Sequence, residues 1–153
     1  MPNYTSLVLA GLVLACTSLS ARAELGGNLS SIEADRVHMN APTQAQVTAA
    51  AAYSVHELTL PSGTLVRQYV SASGIVFAVA WSGPFKPDLR QLLGPHFNTL
   101  LAKQSHTPHA GHSHSHVKEN NLVIESGGHM RDFYGRAYLP NELPVGVTPQ
   151  DIQ

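Results

Sequence analysis

Residues 53–82 read YSVHELTLPSGTLVRQYVSASGIVFAVAWS and contain three short runs of β-branched and aromatic residues. The three runs are Tyr53 to Leu60, Thr64 to Ser71 and Ile75 to Ser82. The links between them are Pro61-Ser62-Gly63 and Ala72-Ser73-Gly74, and short links that contain glycine favour hairpins. This stretch therefore predicts an antiparallel meander of three strands.

The third run shows which face of this meander should be buried. Ile75, Phe77, Val79 and Trp81 alternate with smaller side chains. Because successive side chains of a strand point to opposite faces, all four are expected on one face. We expect that face to form the core.

A helix should follow the meander. Asp88 is a suitable N-cap, and leucine and phenylalanine recur from residue 89 to residue 101 at helical spacing. Gly94-Pro95 lies in the middle of this pattern and predicts a kink.

Two more strands are expected in the second half of the chain. They are Leu122 to Glu125 and His129 to Leu139, joined by a turn at Gly127-Gly128. The predicted fold is therefore α+β, with an antiparallel sheet of four to five strands and one main kinked helix packed on one face.

The remaining segments complete the predicted domain organisation. Residues 24–52 are rich in small and polar residues and are expected to be a low-complexity leader, with a helix over Ser31 to His38 and a helical turn over Gln44 to Ala52. Residues 53–140 form the predicted domain, which includes a histidine-rich loop at 104–121. Residues 141–153 form a predicted irregular tail.

The N-terminus indicates export. An apolar run, Leu7 to Cys16, precedes Ser20-Ala21-Arg22-Ala23, which has small residues at both recognition positions for cleavage before Glu24. Residues 1–23 are therefore a predicted signal peptide, and the mature protein is expected in the periplasm or outside the cell. In an alternative interpretation, Cys16 is the lipidated residue of a lipoprotein. No apolar run reaches the roughly 20 residues that span a bilayer, so no transmembrane helix is expected.

Composition and motifs exclude several functional classes. Nine Lys and Arg against ten Asp and Glu give a net charge of −1, which argues against nucleic-acid binding. The single cysteine excludes an intramolecular disulfide and a multi-cysteine metal centre. His56-Glu57 lacks the second histidine of a zinc protease motif, because position 60 is leucine.

One segment is typical of metal binding. Five of the nine histidines, His106, His109, His112, His114 and His116, lie within eleven residues. Neutral imidazole is a good ligand for zinc, copper and nickel. The tract therefore predicts capture or buffering of a divalent transition metal, unless it is only a solvated linker.

A second candidate site is the segment from Ser126 to Arg131. Adjacent glycines allow a close backbone approach, so Ser126, His129 and Arg131 are expected at one end of the sheet, where a small ligand or a protein partner binds. The alternative is an ordinary tight turn. These three residues are also the best candidates for a catalytic centre, although no base can be assigned to Ser126.

Three blocks of sequence resemble a known family. They are residues 62–70, residues 77–94 and residues 125–140, and residues 25–27 add a shorter match. Together they resemble an uncharacterised family of exported proteobacterial proteins called domain of unknown function 2844. The resemblance implies a small secreted or periplasmic protein, with no activity, cofactor or catalytic residue attached to the family.

The sequence therefore favours a small exported envelope protein that binds a partner protein or a small ligand and is not an enzyme. Periplasmic metal binding through the histidine tract is the alternative, and an enzyme is the third hypothesis.

Overall fold

The computed structural model describes residues 24–42, 46–50, 52–104 and 114–153. These residues form one seven-stranded antiparallel sheet in the order β1-β2-β3-β4-β7-β6-β5. The strands are β1 (Gln46–Ala49), β2 (Tyr53–Thr59), β3 (Leu65–Ser71), β4 (Val76–Gly83), β5 (Ser115–Glu119), β6 (Leu122–His129) and β7 (Asp132–Tyr138).

Three α-helices accompany the sheet: α1 (Leu29–His38), α2 (Leu89–Leu93) and α3 (Phe97–Gln104). A 3₁₀ turn, Gly94–His96, separates α2 from α3, so the expected interruption at Gly94-Pro95 is present. Asp88 is the N-cap of α2, because its Oδ1 accepts hydrogen bonds from the backbone N–H groups of Arg90 (3.0 Å) and Gln91 (3.1 Å).

The sheet consists of two meanders joined side by side. Strands β1 to β4 follow one another, strands β5 to β7 do the same, and β4 pairs with β7 across the middle. The predicted meander of β2, β3 and β4 is confirmed. The expected count of four to five strands is wrong, because the described residues form seven strands.

The two additional strands lie at the two ends of the strand order. Strand β1 occupies residues for which a helical turn was predicted, and it pairs with β2 from Gln46 opposite Glu57 to Ala49 opposite Ser54. Strand β5 occupies part of the predicted histidine-rich loop and pairs with β6. Both are short, and their extended conformation depends on pairing with a neighbouring strand, which overrides local preference.

The turn between β6 and β7 is also displaced from its predicted place. Gly127 and Gly128 lie inside β6, and the turn consists of Met130 and Arg131, with φ angles of 50° and 70°. A Cβ atom on Gly128 would lie 2.0 Å from the Asp132 backbone oxygen. This glycine therefore allows two backbones to approach closely, rather than the chain to turn.

Each face of the sheet has its own apolar layer. On one face, Val66, Trp81 and Ile124 pack with Leu92 and Leu100 from the helices.

The opposite face is covered by the C-terminal segment. There Ile152 packs with Tyr69 and Phe77. Phe77 was expected on the same face as Val79 and Trp81, but a register shift in the β3–β4 pairing places it opposite them.

Segments outside residues 53–140 also contribute buried residues. Leu25, Ile32 and Ala41 are each 5% exposed or less, and Ile152 is 1% exposed. The helix predicted over residues 31–38 is present and begins at Leu29. The predicted signal peptide lies outside the described residues, and the division of the chain into leader, domain and tail stays a prediction.

Candidate functional site

A cleft of about 640 Å³ lies between strands β5 to β7 and the end of the chain, and we call it the tail cleft. Its lining includes His114, His116, Glu125, Ser126, Tyr134 and Arg136. Side chains from paired strands meet here because His116 lies opposite Glu125, and Glu125 lies opposite Arg136.

One wall of the tail cleft is a charged network centred on Glu125. Arg136 donates from Nε to Glu125 Oε2 at 2.7 Å, and its second terminal nitrogen lies 2.7 Å from the same oxygen. His116 Nδ1 lies 3.4 Å from Glu125 Oε1. The carboxylate of Glu125 therefore links His116 of β5, the last strand in the order, to Arg136 of β7, in the middle of the sheet.

The same arginine holds the C-terminal segment in place. Arg136 Nη1 donates to the backbone oxygens of Pro149 (2.5 Å) and Ile152 (3.2 Å).

Strand β3 holds the last residue, because Arg67 Nη1 and Tyr69 Oη both donate to the Gln153 backbone oxygen, at 3.0 and 2.9 Å. Burial raises the pKa of Tyr69, so its hydroxyl keeps the proton that it donates.

The other wall of the tail cleft is aromatic. His114 Nε2 lies 3.0 Å from Tyr134 Oη, and the two rings meet edge to face with centroids 6.2 Å apart. Gly127 lies opposite Tyr134 in the sheet, and a Cβ atom there would lie 2.8 Å from both rings. The missing side chain therefore leaves space for this pair.

The structure brings together only part of the predicted binding set. Ser126 lines the tail cleft, whereas His129 and Arg131 are not among the lining residues and lie exposed at the β6–β7 turn. The Arg131 guanidinium lies 5.3 Å from the centre of the Phe85 ring. Binding at this turn stays a prediction.

The predicted metal set is divided in the same way. His114 and His116 line the tail cleft, whereas His106, His109 and His112 lie outside the described residues. Within the described ranges, no three His, Cys, Asp or Glu side chains are grouped closely enough to hold a metal ion.

Sequence reasoning missed Tyr134 and Arg136 as members of a site. They are two residues apart on β7, which places both on one face, and Glu125 is the cross-strand neighbour of Arg136. This alternation is visible in the sequence, but the face on which each side chain lies depended on the position of the turn before β7, which was predicted three residues too early.

Two further observations concern the membrane and known proteins. No helix within the described ranges is long and apolar enough to cross a membrane.

Comparison with curated proteins and with solved structures found no match. The family described as Protein of unknown function (DUF2844) matches residues 21–152, which include the whole sheet, all three helices and every described residue of the tail cleft except Gln153. The chain therefore belongs to this family, as its sequence blocks indicated.

Proposed function

We propose that the protein is an exported, non-enzymatic binding protein of the bacterial cell envelope, and that the tail cleft holds a small ligand. The observation that carries this proposal is the size of the cleft, about 640 Å³, together with its mixed aromatic and polar lining. Small-molecule sites have volumes of roughly 300–1,000 Å³ and combine apolar contact with a few polar groups.

The charges of the cleft indicate the kind of ligand. Arg136 is neutralised by Glu125, and Arg67 is neutralised by Glu57, whose Oε1 is 2.6 Å from Arg67 Nε. Arg136 also has both carbonyl contacts to the C-terminal segment. An anion would have to compete with these internal partners, so the network favours an uncharged ligand.

Tyr134 provides an apolar surface for such a ligand. Its side chain is 48% exposed. The imidazole of His116 and the carboxylate of Glu125, which also line the cleft, provide hydrogen-bonding groups. We therefore assign the cleft an uncharged ligand that has one apolar face and several hydrogen-bonding groups.

A binding role is supported further by the surroundings of Ser126. In the part of the chain that the structure describes, its hydroxyl has no hydrogen bond to a histidine or a carboxylate. A nucleophilic serine requires such a base.

The proposal is tested by enrichment of small molecules. The purified protein is incubated with a low-molecular-mass extract of bacterial envelopes and recovered, and the bound compounds are identified by mass spectrometry. We expect at least one uncharged compound to be enriched by the wild type and to lose most of that enrichment with Tyr134→Ala. Lys118→Ala is the matched control, because it is exposed on β5 and does not line the cleft. Equal enrichment by wild type and Tyr134→Ala would contradict the proposal.

A second candidate function is binding of zinc, copper or nickel. It is favoured by one observation: His114, which precedes β5, and His116 of β5 both line the tail cleft, with Glu125 beside His116. Calorimetric titration with each metal should then show sub-micromolar, stoichiometric binding that is lost when residues 106–116 are deleted. Binding no tighter than about tens of micromolar would reject this function and leave the ligand proposal untouched.

A further inference from the structure

The face of the sheet opposite the tail cleft contains a buried carboxyl group without a cation. Asp35 of α1 is 0% exposed. Gln68 of β3 donates from Nε2 to Asp35 Oδ2 at 2.5 Å, and Gln91 of α2 donates from Nε2 to Oδ1 at 2.8 Å. Three separate elements therefore meet at this one carboxyl group.

The charged groups near Asp35 do not favour its ionised form. Asp88 and Glu24 both add negative potential at its position. On its own helix, Arg36 is paired with Glu33, at 2.6 Å. His38 lies 3.7 Å from Asp88 Oδ2. No Lys, Arg or His makes a salt bridge with Asp35 within the described ranges.

The hydrogen bonding of this cluster is incomplete. Gln68 is 1% exposed, and its Oε1 has no hydrogen-bond partner. Two neutral amide groups are therefore the sole hydrogen-bond partners that the described chain offers to the Asp35 carboxyl. Both amides donate N–H to the carboxyl oxygens, which favours the charged form, but two neutral donors do not compensate the cost of burying a full charge. Rotation of the Gln68 amide by 180° would bring its unpaired Oε1 against the proton of the neutral acid.

We propose that Asp35 is a proton-dependent latch: as the neutral acid it holds α1 against β3 and α2, and loss of its proton loosens α1 from the sheet. Burial supports this proposal, because it raises the pKa of Asp35 to about 7. The hydrogen bonds from Gln91 and Gln68 lower the pKa, but their effect is smaller than that of burial.

The sign of the pH effect follows from proton linkage. Between about pH 4 and pH 7 the unfolded chain has lost this proton, whereas the folded chain keeps it. The contribution of Asp35 to the free energy of unfolding is therefore at its maximum below about pH 4. It decreases as pH rises to about 7 and does not change further above that value. Over this window the folding equilibrium constant decreases about tenfold per pH unit.

Other groups titrate in the same range, so the test compares variants. Burial lowers the pKa of His56 and of His96, which makes stability rise with pH in part of the same window. Asp35→Asn keeps the size and polarity of the side chain without the proton equilibrium. Glu33→Gln is the control, because it removes an exposed carboxylate from the same helix.

The experiment measures urea unfolding of the full chain from pH 4.5 to pH 8. We expect the folding equilibrium constant of the wild type, divided by that of Asp35→Asn, to decrease by about tenfold per pH unit up to pH 7. The folding equilibrium constant of the wild type divided by that of Glu33→Gln should show no such decrease. Amide exchange in α1, corrected for its intrinsic pH dependence, should become faster above pH 7 in the wild type.

A direct readout does not depend on whether Asp35→Asn folds. The ¹³C chemical shift of the Asp35 carboxyl carbon should titrate near pH 7 in the wild type. A midpoint near 4, or a ratio of folding constants that does not change with pH, would overturn the proposal.

Discussion

Two glycines show how single atoms shape this sheet. A Cβ atom on Gly135 would lie 2.3 Å from Trp81 Cζ2 and 2.6 Å from Trp81 Cε2. Trp81 is 2% exposed and packs in the core. At Gly127 the corresponding contacts are the His114 and Tyr134 rings, which lie at the surface. One glycine is therefore required by the core, and the other by the tail cleft.

Gly135→Ala should consequently destabilise the protein more than Gly127→Ala. Overpacking of a buried position costs roughly 1–3 kcal/mol, and we expect Gly135→Ala to lower the free energy of unfolding by that amount. Gly127→Ala should cost less, because the exposed rings can turn away. Urea denaturation of both variants measures the difference, and equal losses would show that Trp81 adjusts as readily as the surface rings.

The β6–β7 hairpin is the most unusual single element. Two-residue hairpin turns in which both φ angles are positive favour Asn-Gly, because other residues pay a steric cost. Here the two positions are Met130 and Arg131. Met130 is 91% exposed, so packing does not compensate that cost. Arg131 is itself one of the residues that were predicted to bind a partner, and functional sites are a common location for such strain.

Substitutions at Met130 should reveal this strain. We expect Met130→Asn to raise the free energy of unfolding by roughly 0.5–1 kcal/mol, because asparagine tolerates a positive φ angle. Met130→Val, which is β-branched, should lower it by a similar amount. Thermal and urea unfolding of the two variants check the sign, and a shift in the same direction for both would exclude backbone strain as the cause.

At the scale of the whole molecule, the pairing of β4 with β7 unites two meanders that are each local in the chain. The helices pack against one face of the sheet, and the C-terminal segment packs against the other. Arg67, Tyr69 and Arg136 attach that segment through its backbone oxygens. The proton latch at Asp35 and the tail cleft therefore lie on opposite faces, so each can be tested by substitutions that do not touch the other.

Local chemistry was readable from the chain alone. The glycine-containing links specified the hairpins of β2, β3 and β4, Asp88 specified the start of α2, and Gly94-Pro95 specified its interruption. These features depend on a few neighbouring residues, whose backbone preferences act without the rest of the fold. Three blocks of sequence were also enough to identify the family.

Contacts between distant segments were not readable in this way. Strands β1 and β5 became extended because a neighbouring strand offered hydrogen bonds, although their own composition favoured a helical turn and a loop. The tail cleft depends on cross-strand pairing, which brings His116, Glu125 and Arg136 together. The proposed latch depends on the burial of Asp35 between amide groups of β3 and α2. Burial and long-range strand pairing are properties of the packed molecule. The environment of a residue, which sets its pKa and its hydrogen-bond partners, therefore forms only when the helices and the C-terminal segment pack against the sheet.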